Sequence, residues 1–301
     1  MTAVGQPITL EAGGRRFSAS RTGPANGPVV LCLHGFPDSP DTFRHQVGPL
    51  ADAGYQVIVP TLRGYEPSSQ PADGDYSLIT MAGDVTGWLD HLDAPAAHLV
   101  GHDWGAAIAY TAGTAHPERL RSITAIAIPP LTRIPDAVRR VPKQLILSWY
   151  MTFFQLRLVA ERAVSANDWW LIRRLWRRWS PGYAMSATEW RDLRQRFEQP
   201  GVLGASLGYY RRNATPPILL GLRTTEAMSR HEIPVPTLII HGDADGCMDR
   251  RLFDHTIEPA DFPAGVQRVE LPGAGHFVHL EQPDRVTRHL LEHLEHPDGT
   301  P

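Results

Sequence analysis

Leu99-Val100-Gly101-His102-Asp103-Trp104-Gly105 runs from an apolar pair into a stretch of helical periodicity, Trp104 to Ala115, across two glycines. Leu and Val before Gly101 suit a buried strand, and the pattern after Asp103 suits a helix. A chain that passes from strand to helix within so few residues needs a sharp turn, and the glycines on either side permit it. Asp103 is thereby predicted to stand at the tip of a strand-turn-helix unit, the setting of a nucleophile.

Further apolar runs rich in Val, Ile and Leu lie at Val29 to Leu33, Val57 to Val59, Ile123 to Ile128 and Thr237 to Ile240. They alternate with helical stretches such as Met81 to Leu92, which predicts an α/β class with a mostly parallel central sheet flanked by helices. Ile8 to Leu10 and Arg16 to Ser20 flank Gly13-Gly14, the signature of an antiparallel hairpin. After Pro129-Pro130 the alternation gives way to Trp-rich and Arg-rich helical pattern, broken by Pro135, Pro142, Pro200, Pro216 and Pro217. Residues 133–221 are read as an inserted helical cap, between a first core stretch at 1–132 and a second at 222–301. The amphipathic segment Pro283 to His296 closes the chain.

Composition narrows the function classes. At 301 residues with 42% hydrophobic and 20% charged side chains, the chain is expected to be a globular protein with one large core. No stretch reaches the ~18 consecutive apolar residues of a membrane span, and no leader pattern opens the sequence, so a cytoplasmic protein is expected. Two cysteines, Cys32 and Cys247, are too few for a disulfide scaffold or a zinc cluster. Residues 133–221 carry +9 net charge and leave −12 elsewhere. Arg173, Arg174, Arg177 and Arg178 fall opposite Ile172, Leu175, Trp176 and Trp179, so this reads as a solvated helix face and not as a nucleic-acid surface. His289 and His293 have a metal-compatible spacing, but Leu290, Leu291 and Leu294 define the buried side and leave both histidines off it, so no metal is expected there.

The chemistry follows from residue type. Serine attacking a saturated carbon would give an ether, which water cannot cleave through a carbonyl. Asp103 would give an ester, which water can hydrolyse at the aspartyl carbonyl. His34-Gly35-Phe36-Pro37 ends an apolar strand, where the Phe36 N–H, together with the Trp104 N–H, would form an oxyanion hole. A cis Phe36-Pro37 bond fits that loop. His276, in Gly273-Ala274-Gly275-His276-Phe277, is the expected general base, and Asp245, past the strand at Thr237 to Ile240, its partner carboxylate. Asp243 and Asp249 are rivals to Asp245.

With His34-Gly35-Phe36-Pro37-Asp38-Ser39, Arg63-Gly64-Tyr65, Gly101-His102-Asp103-Trp104-Gly105, His116-Pro117-Glu118-Arg119 and Gly275-His276, the chain resembles the epoxide hydrolases of the α/β-hydrolase fold, over nearly all the core. The elbow string is also close to haloalkane dehalogenases. Those often place Asn where Phe36 stands, and fluoroacetate dehalogenases place Arg where Trp104 stands. Ala106, where the family often has glycine, and the lack of Pro-Gly after Gln155 are departures that bear on cap shape.

The resemblance implies two cap tyrosines that protonate the opening ring. Ser148-Trp149-Tyr150 and Leu207-Gly208-Tyr209-Tyr210-Arg211 look like their segments, which assigns Tyr150 and Tyr210, with Tyr209 and Tyr183 as competitors. With electrophilic help coming from tyrosines and backbone amides, no cofactor or metal is implied. Phe36, Pro37, Trp104, Trp149, Phe153, Phe154 and Phe277 are expected to line the pocket, with a small apolar or aromatic epoxide and water as substrates. The alternatives are a dehalogenase using Asp103 and a non-catalytic ligand-binding member of the fold. Monomer and dimer both remain open.

Overall fold

The structure is a computed structural model that describes residues 5–223, 225–229 and 231–297. Its strands are β1 (Gln6–Ala12), β2 (Arg15–Thr22), β3 (Val29–Leu33), β4 (Gln56–Pro60), β5 (Ala97–His102), β6 (Leu120–Ile126), β7 (Thr237–Gly242) and β8 (Val266–Leu271). They form one sheet in the order β1-β2-β4-β3-β5-β6-β7-β8. The β1–β2 and β2–β4 pairs are antiparallel and the others parallel. Gly13 and Gly14 make the β1–β2 turn with φ of 54° and 72°, values that side-chain-bearing residues adopt at a cost.

Every residue of β3, β4, β5 and β7 is buried, as expected of parallel strands covered on both faces. Alternation divides their side chains between two layers. Leu31 and Leu33 pack with α2 (Leu78–His91) and α3 (Trp104–Ala115) through Met81, Val85 and Ile108. Val30 and Cys32 pack on the other side, with Val47 and Leu50 of α1 (Val47–Asp52).

Between β6 and β7 the regular structure of the described residues is helical: α4 (Ile134–Arg140), α5 (Lys143–Leu147), α6 (Trp149–Phe153), α7 (Val159–Trp179), α8 (Ala187–Phe197), α9 (Val202–Asn213), α10 (Pro216–Leu219) and α11 (Glu226–Ser229). α7 is interrupted where φ turns positive at Asn167, Asp168 and Trp169. Beyond the break Ile172, Leu175, Trp176 and Trp179 are buried while the arginines between them face out, as the periodicity predicts. The Tyr209 hydroxyl donates to the Arg63 carbonyl at 2.7 Å and the Trp176 indole to the Pro37 carbonyl at 2.8 Å, fastening these helices to the loops of the sheet. Arg63 is itself held by Asp84 of α2 in a buried ion pair. After β7 come α12 (Arg251–Thr256), α13 (Val278–Glu281) and α14 (Pro283–Glu295).

Two expectations are corrected. β6 stops at Ile126 and does not reach Ile128, because Ala127 takes φ of 66° and leaves the extended region ahead of Pro129-Pro130. His293 lies on the buried side of α14, not off it. It is seven residues after Val286, hence on the same helical face, and its Nε2 meets the Ile123 carbonyl at 3.2 Å. His289 is partly exposed beside Glu292, so the two histidines do not converge.

Candidate active site

The loops at the carboxyl ends of four parallel strands meet above the sheet, where an α/β sheet places its ligand crevice. β3 delivers His34 to Pro37, β5 delivers Asp103, β7 delivers Asp245, and β8 delivers His276. Asp103 sits at φ 51° and ψ −118°, a strained conformation for a non-glycine residue and the geometry of a sharp strand-to-helix elbow. The surroundings hold it there by close approach. A Cβ on Gly105 would lie 1.9 Å from the Leu33 carbonyl oxygen, and one on Gly35 would lie 2.4 Å from the Asp103 Cβ.

The Phe36 N–H donates to Asp103 Oδ1 at 2.8 Å, from the loop of the cis Phe36-Pro37 bond. The Trp104 N–H is the first amide of α3 and has no acceptor within the helix. Asp103 Oδ2 lies 3.4 Å from His276 Nε2. His276 Nδ1 donates to Asp245 Oδ2 at 2.9 Å, and Asp245 Oδ1 accepts the N–H groups of Cys247 and Met248 at 2.6 and 3.0 Å.

His276 is fully buried. Burial pulls its pKa down, but the charges of Asp245 and Asp103 and the bonds they offer outweigh that and raise it to about 10. The rival carboxylates are engaged elsewhere. Asp243 accepts the Gly273 N–H at 2.7 Å, and Asp249 is paired with Arg251 at 2.8 Å, which holds its pKa down at about 2.

One cavity touches Asp103, Trp104, Tyr150, Tyr210 and Cys247 together. The rings of Tyr150 and Tyr210 stand 5.7 Å apart and nearly perpendicular. Burial, and with it the nearby charge of Asp103, pushes both phenols well above their ordinary pKa, so both are protonated at neutral pH. Tyr210 stands against the Trp104 indole, ring centroids 5.0 Å apart, and the hydroxyl of Tyr150 lies 3.3 Å from Cys247 Sγ. Tyr209 points its hydroxyl at Arg63, while Tyr183 bonds Arg44 and Glu189, so neither competitor enters this cavity.

The walls differ from those expected. Trp104 lines the cavity, but most of the rest is aliphatic or methionine: Leu131, Ile134, Ile218, Leu219, Met228 and Met248. Phe36 and Phe154 stand behind Tyr210, edge-on at 5.3 and 5.1 Å. Phe277 stacks on Trp176 at 3.4 Å, and Pro37 accepts the indole of the same tryptophan. Trp149 is 40% exposed with Phe153 beside it at 6.0 Å. Helix periodicity is the reason: on α6 Tyr150 turns inward together with Phe154 four residues later, which sends Trp149 and Phe153 to another face.

Sequence reasoning missed three contributors. Glu281 accepts the Gly275 N–H at 2.8 Å and steadies the His276 loop. His102 meets the His276 carbonyl at 3.1 Å from beneath. Cys247 supplies a buried thiol, and its place two residues past Asp245 in the same loop was the available signal. Two groups of ligand-type side chains occur among the described residues, Asp38 with His102 and His279, and Asp245 with Cys247 and His276. The second is committed to the hydrogen bonds above, and burial first of all holds the Cys247 thiol protonated, the form in which sulfur is a poor metal ligand.

A carboxylate on a strained elbow, backed by an imidazole and a second carboxylate at the carboxyl edge of a parallel sheet, defines a hydrolase of the α/β-hydrolase fold, and residues 28–283 match the family of that fold. The chain belongs to the epoxide hydrolase family within it. It is 31% identical to epoxide hydrolase A of Mycobacterium tuberculosis across 95% of this chain and 96% of that protein. Among solved structures, an epoxide hydrolase from Vigna radiata is similar with a TM-score of 0.81 at 26% identity, over 98% of this chain and 99% of the other. Epoxide hydrolase A from Mycobacterium thermoresistibile gives 0.78 at 26%, over 96% and 98%. Among the described residues no helix is long and apolar enough to cross a membrane.

Proposed function

We propose that this hydrolase opens a small apolar epoxide to a vicinal diol through an ester on Asp103, with residues 133–221 acting as the cap that brings the proton donors. The observation that carries the reading is one apolar cavity that touches the Asp103 carboxylate and the protonated phenols of Tyr150 and Tyr210. An alkoxide is a poor leaving group, so ring opening needs an acid near the oxygen as well as a nucleophile at the carbon.

Asp103 Oδ1 is already held by the Phe36 amide, which leaves Oδ2 to attack. A bond forms between Oδ2 and the ring carbon as the carbon–oxygen bond of the ring breaks. The oxygen takes a proton from Tyr150 or Tyr210 and becomes a hydroxyl. The ester carbonyl is then Oδ1, sitting where the Phe36 and Trp104 amides stabilise an oxyanion.

Esterification removes one of the two negative charges that raise the His276 pKa, so the imidazolium becomes more acidic. Its proton passes, through the solvent in the site, to the phenolate left by ring opening, which restores the tyrosine and leaves a neutral imidazole as the base. Water loses a proton to His276 Nε2 and adds to the aspartyl carbonyl. Collapse expels the diol's second oxygen, which leaves with the proton from His276. Asp103 is left as a carboxylic acid, which returns its proton to His276. Epoxide and water have become a diol, and Asp103 and His276 are restored.

Aliphatic walls favour an apolar substrate with aliphatic or compact aromatic substituents. A cytoplasmic setting belongs to the same reading, supported by two buried, unpaired cysteines. A single turnover in heavy-oxygen water tests the mechanism. Label is expected in the Asp103 carboxylate first and in the diol only after further turnovers. Label that goes straight into the diol overturns it, and halide release from short haloalkanes without diol formation from epoxides replaces it with a dehalogenase.

A further inference from the structure

Cys247 is held in the cavity wall by both its backbone polar groups. Its N–H donates to Asp245 Oδ1 at 2.6 Å, and its carbonyl accepts from Gln144 Nε2 at 2.9 Å. Its Sγ lies 3.3 Å from the Tyr150 hydroxyl, within reach of a sulfur hydrogen bond, and the thiol is buried. Sulfur is a weak acceptor, and a thiol that keeps its proton also has a hydrogen to give. Across from this pair Tyr210 faces the same cavity beside the Trp104 ring, whose centroid lies 5.0 Å from its own. The two phenols are therefore differently placed: Tyr150 has a thiol at its oxygen, and Tyr210 has the Trp104 indole.

We infer that Cys247 is a positioning residue for Tyr150, its S–H donating to the Tyr150 oxygen once that hydroxyl has turned to a substrate oxygen. The inference rests on the ring-opening reading above. When Tyr150 gives up its proton, negative charge develops on the phenol oxygen, and the thiol is the fixed group that meets it. The thiol keeps its own proton, forms no covalent bond and leaves the atom balance unchanged. Because Asp245 holds the same residue by its backbone, the loop that orients His276 also sets the height of the proton donor. The two halves of the reaction thus share one rigid segment.

Rapid-quench measurement of ester formation and of ester hydrolysis tests this in Cys247→Ala and Cys247→Ser. Ester formation is expected to slow about tenfold in the alanine variant, the size of one weak hydrogen bond, with ester hydrolysis and substrate binding within about twofold. Serine, which keeps a donor at the same place, is expected to restore ester formation to within about threefold. Equal loss in both steps, or in both variants, would reduce Cys247 to packing and overturn the inference. So would an alanine variant that forms ester at the unaltered rate, while the function stands. Absence of any ester in the unaltered protein removes the functional reading and this inference together.

Discussion

Nε2 of His276 stands 3.4 Å from Oδ2 of Asp103, the distance of an ion pair more than of a short hydrogen bond. The charges of Asp245 and Asp103 outweigh burial and favour a proton on the resting imidazole. The order of the proposed reaction follows: the first step neutralises Asp103, and that neutralisation frees the base for the second.

Asp103→Asn removes one of those charges, and the His276 pKa is expected to fall from about 10, as read by NMR titration of the ring. Steady turnover is expected to drop by at least about 10⁴-fold. An unchanged imidazole titration would mean that the Asp103 charge does not reach His276.

The same shift has a signature in stability. The folded pKa of about 10 lies above the ordinary value of 6.5, so the stabilisation is complete below pH 6.5, fades as pH rises and is lost through pH 10. Melting curves of the unaltered protein and His276→Gln should therefore lie furthest apart at acidic pH, with the gap narrowing toward pH 10.

His276→Gln is expected to form the Asp103 ester and then stall, with turnover down at least about 10³-fold. Intact-mass spectrometry would show the adduct as a stoichiometric burst. A variant that turns over without accumulating adduct would remove His276 from the second step.

Tyr150→Phe and Tyr210→Phe are each expected to slow ester formation by about 10- to 100-fold, and the double variant further, with ester hydrolysis little changed. Stopped-flow separation of the two steps reads this directly. Normal ester formation in the double variant would remove the tyrosines as acids.

Arg63 and Asp84 form a buried ion pair beneath the helices between β6 and β7, each side chain 3% exposed. Removing one partner strands the other, so Asp84→Ala is expected to cost about 3–5 kcal/mol in urea unfolding. A loss under about 1 kcal/mol would mean that water or another acid compensates Arg63.

The sequence alone carried much of the fold. Strand and helix alternation, the Gly13-Gly14 hairpin and the elbow at Asp103 all rest on local rules of periodicity and backbone freedom, and local rules are written in neighbouring residues. Asp103 and Asp245 each follow a buried strand recognisable by its composition, whereas β8 ahead of His276 is buried only at Leu271 and is marked instead by the glycine turn that follows it. His293 was misjudged because leucines were taken as the marker of the buried face, whereas a histidine whose ring nitrogen finds a backbone carbonyl is equally at home there.

Tertiary structure decided what depends on direction across long separations. Adjacent residues Tyr209 and Tyr210 differ in no local rule, yet packing sends one hydroxyl to Arg63 and the other into the cavity. Three carboxylates share the loop after β7, and only Asp245 faces His276, because Gly273 and Arg251 take the other two. Sequence determined which chemical groups exist and on which kind of element. Three-dimensional packing alone determined which of them meet, since a hydrogen bond is set by a few tenths of an ångström that no neighbouring residue encodes.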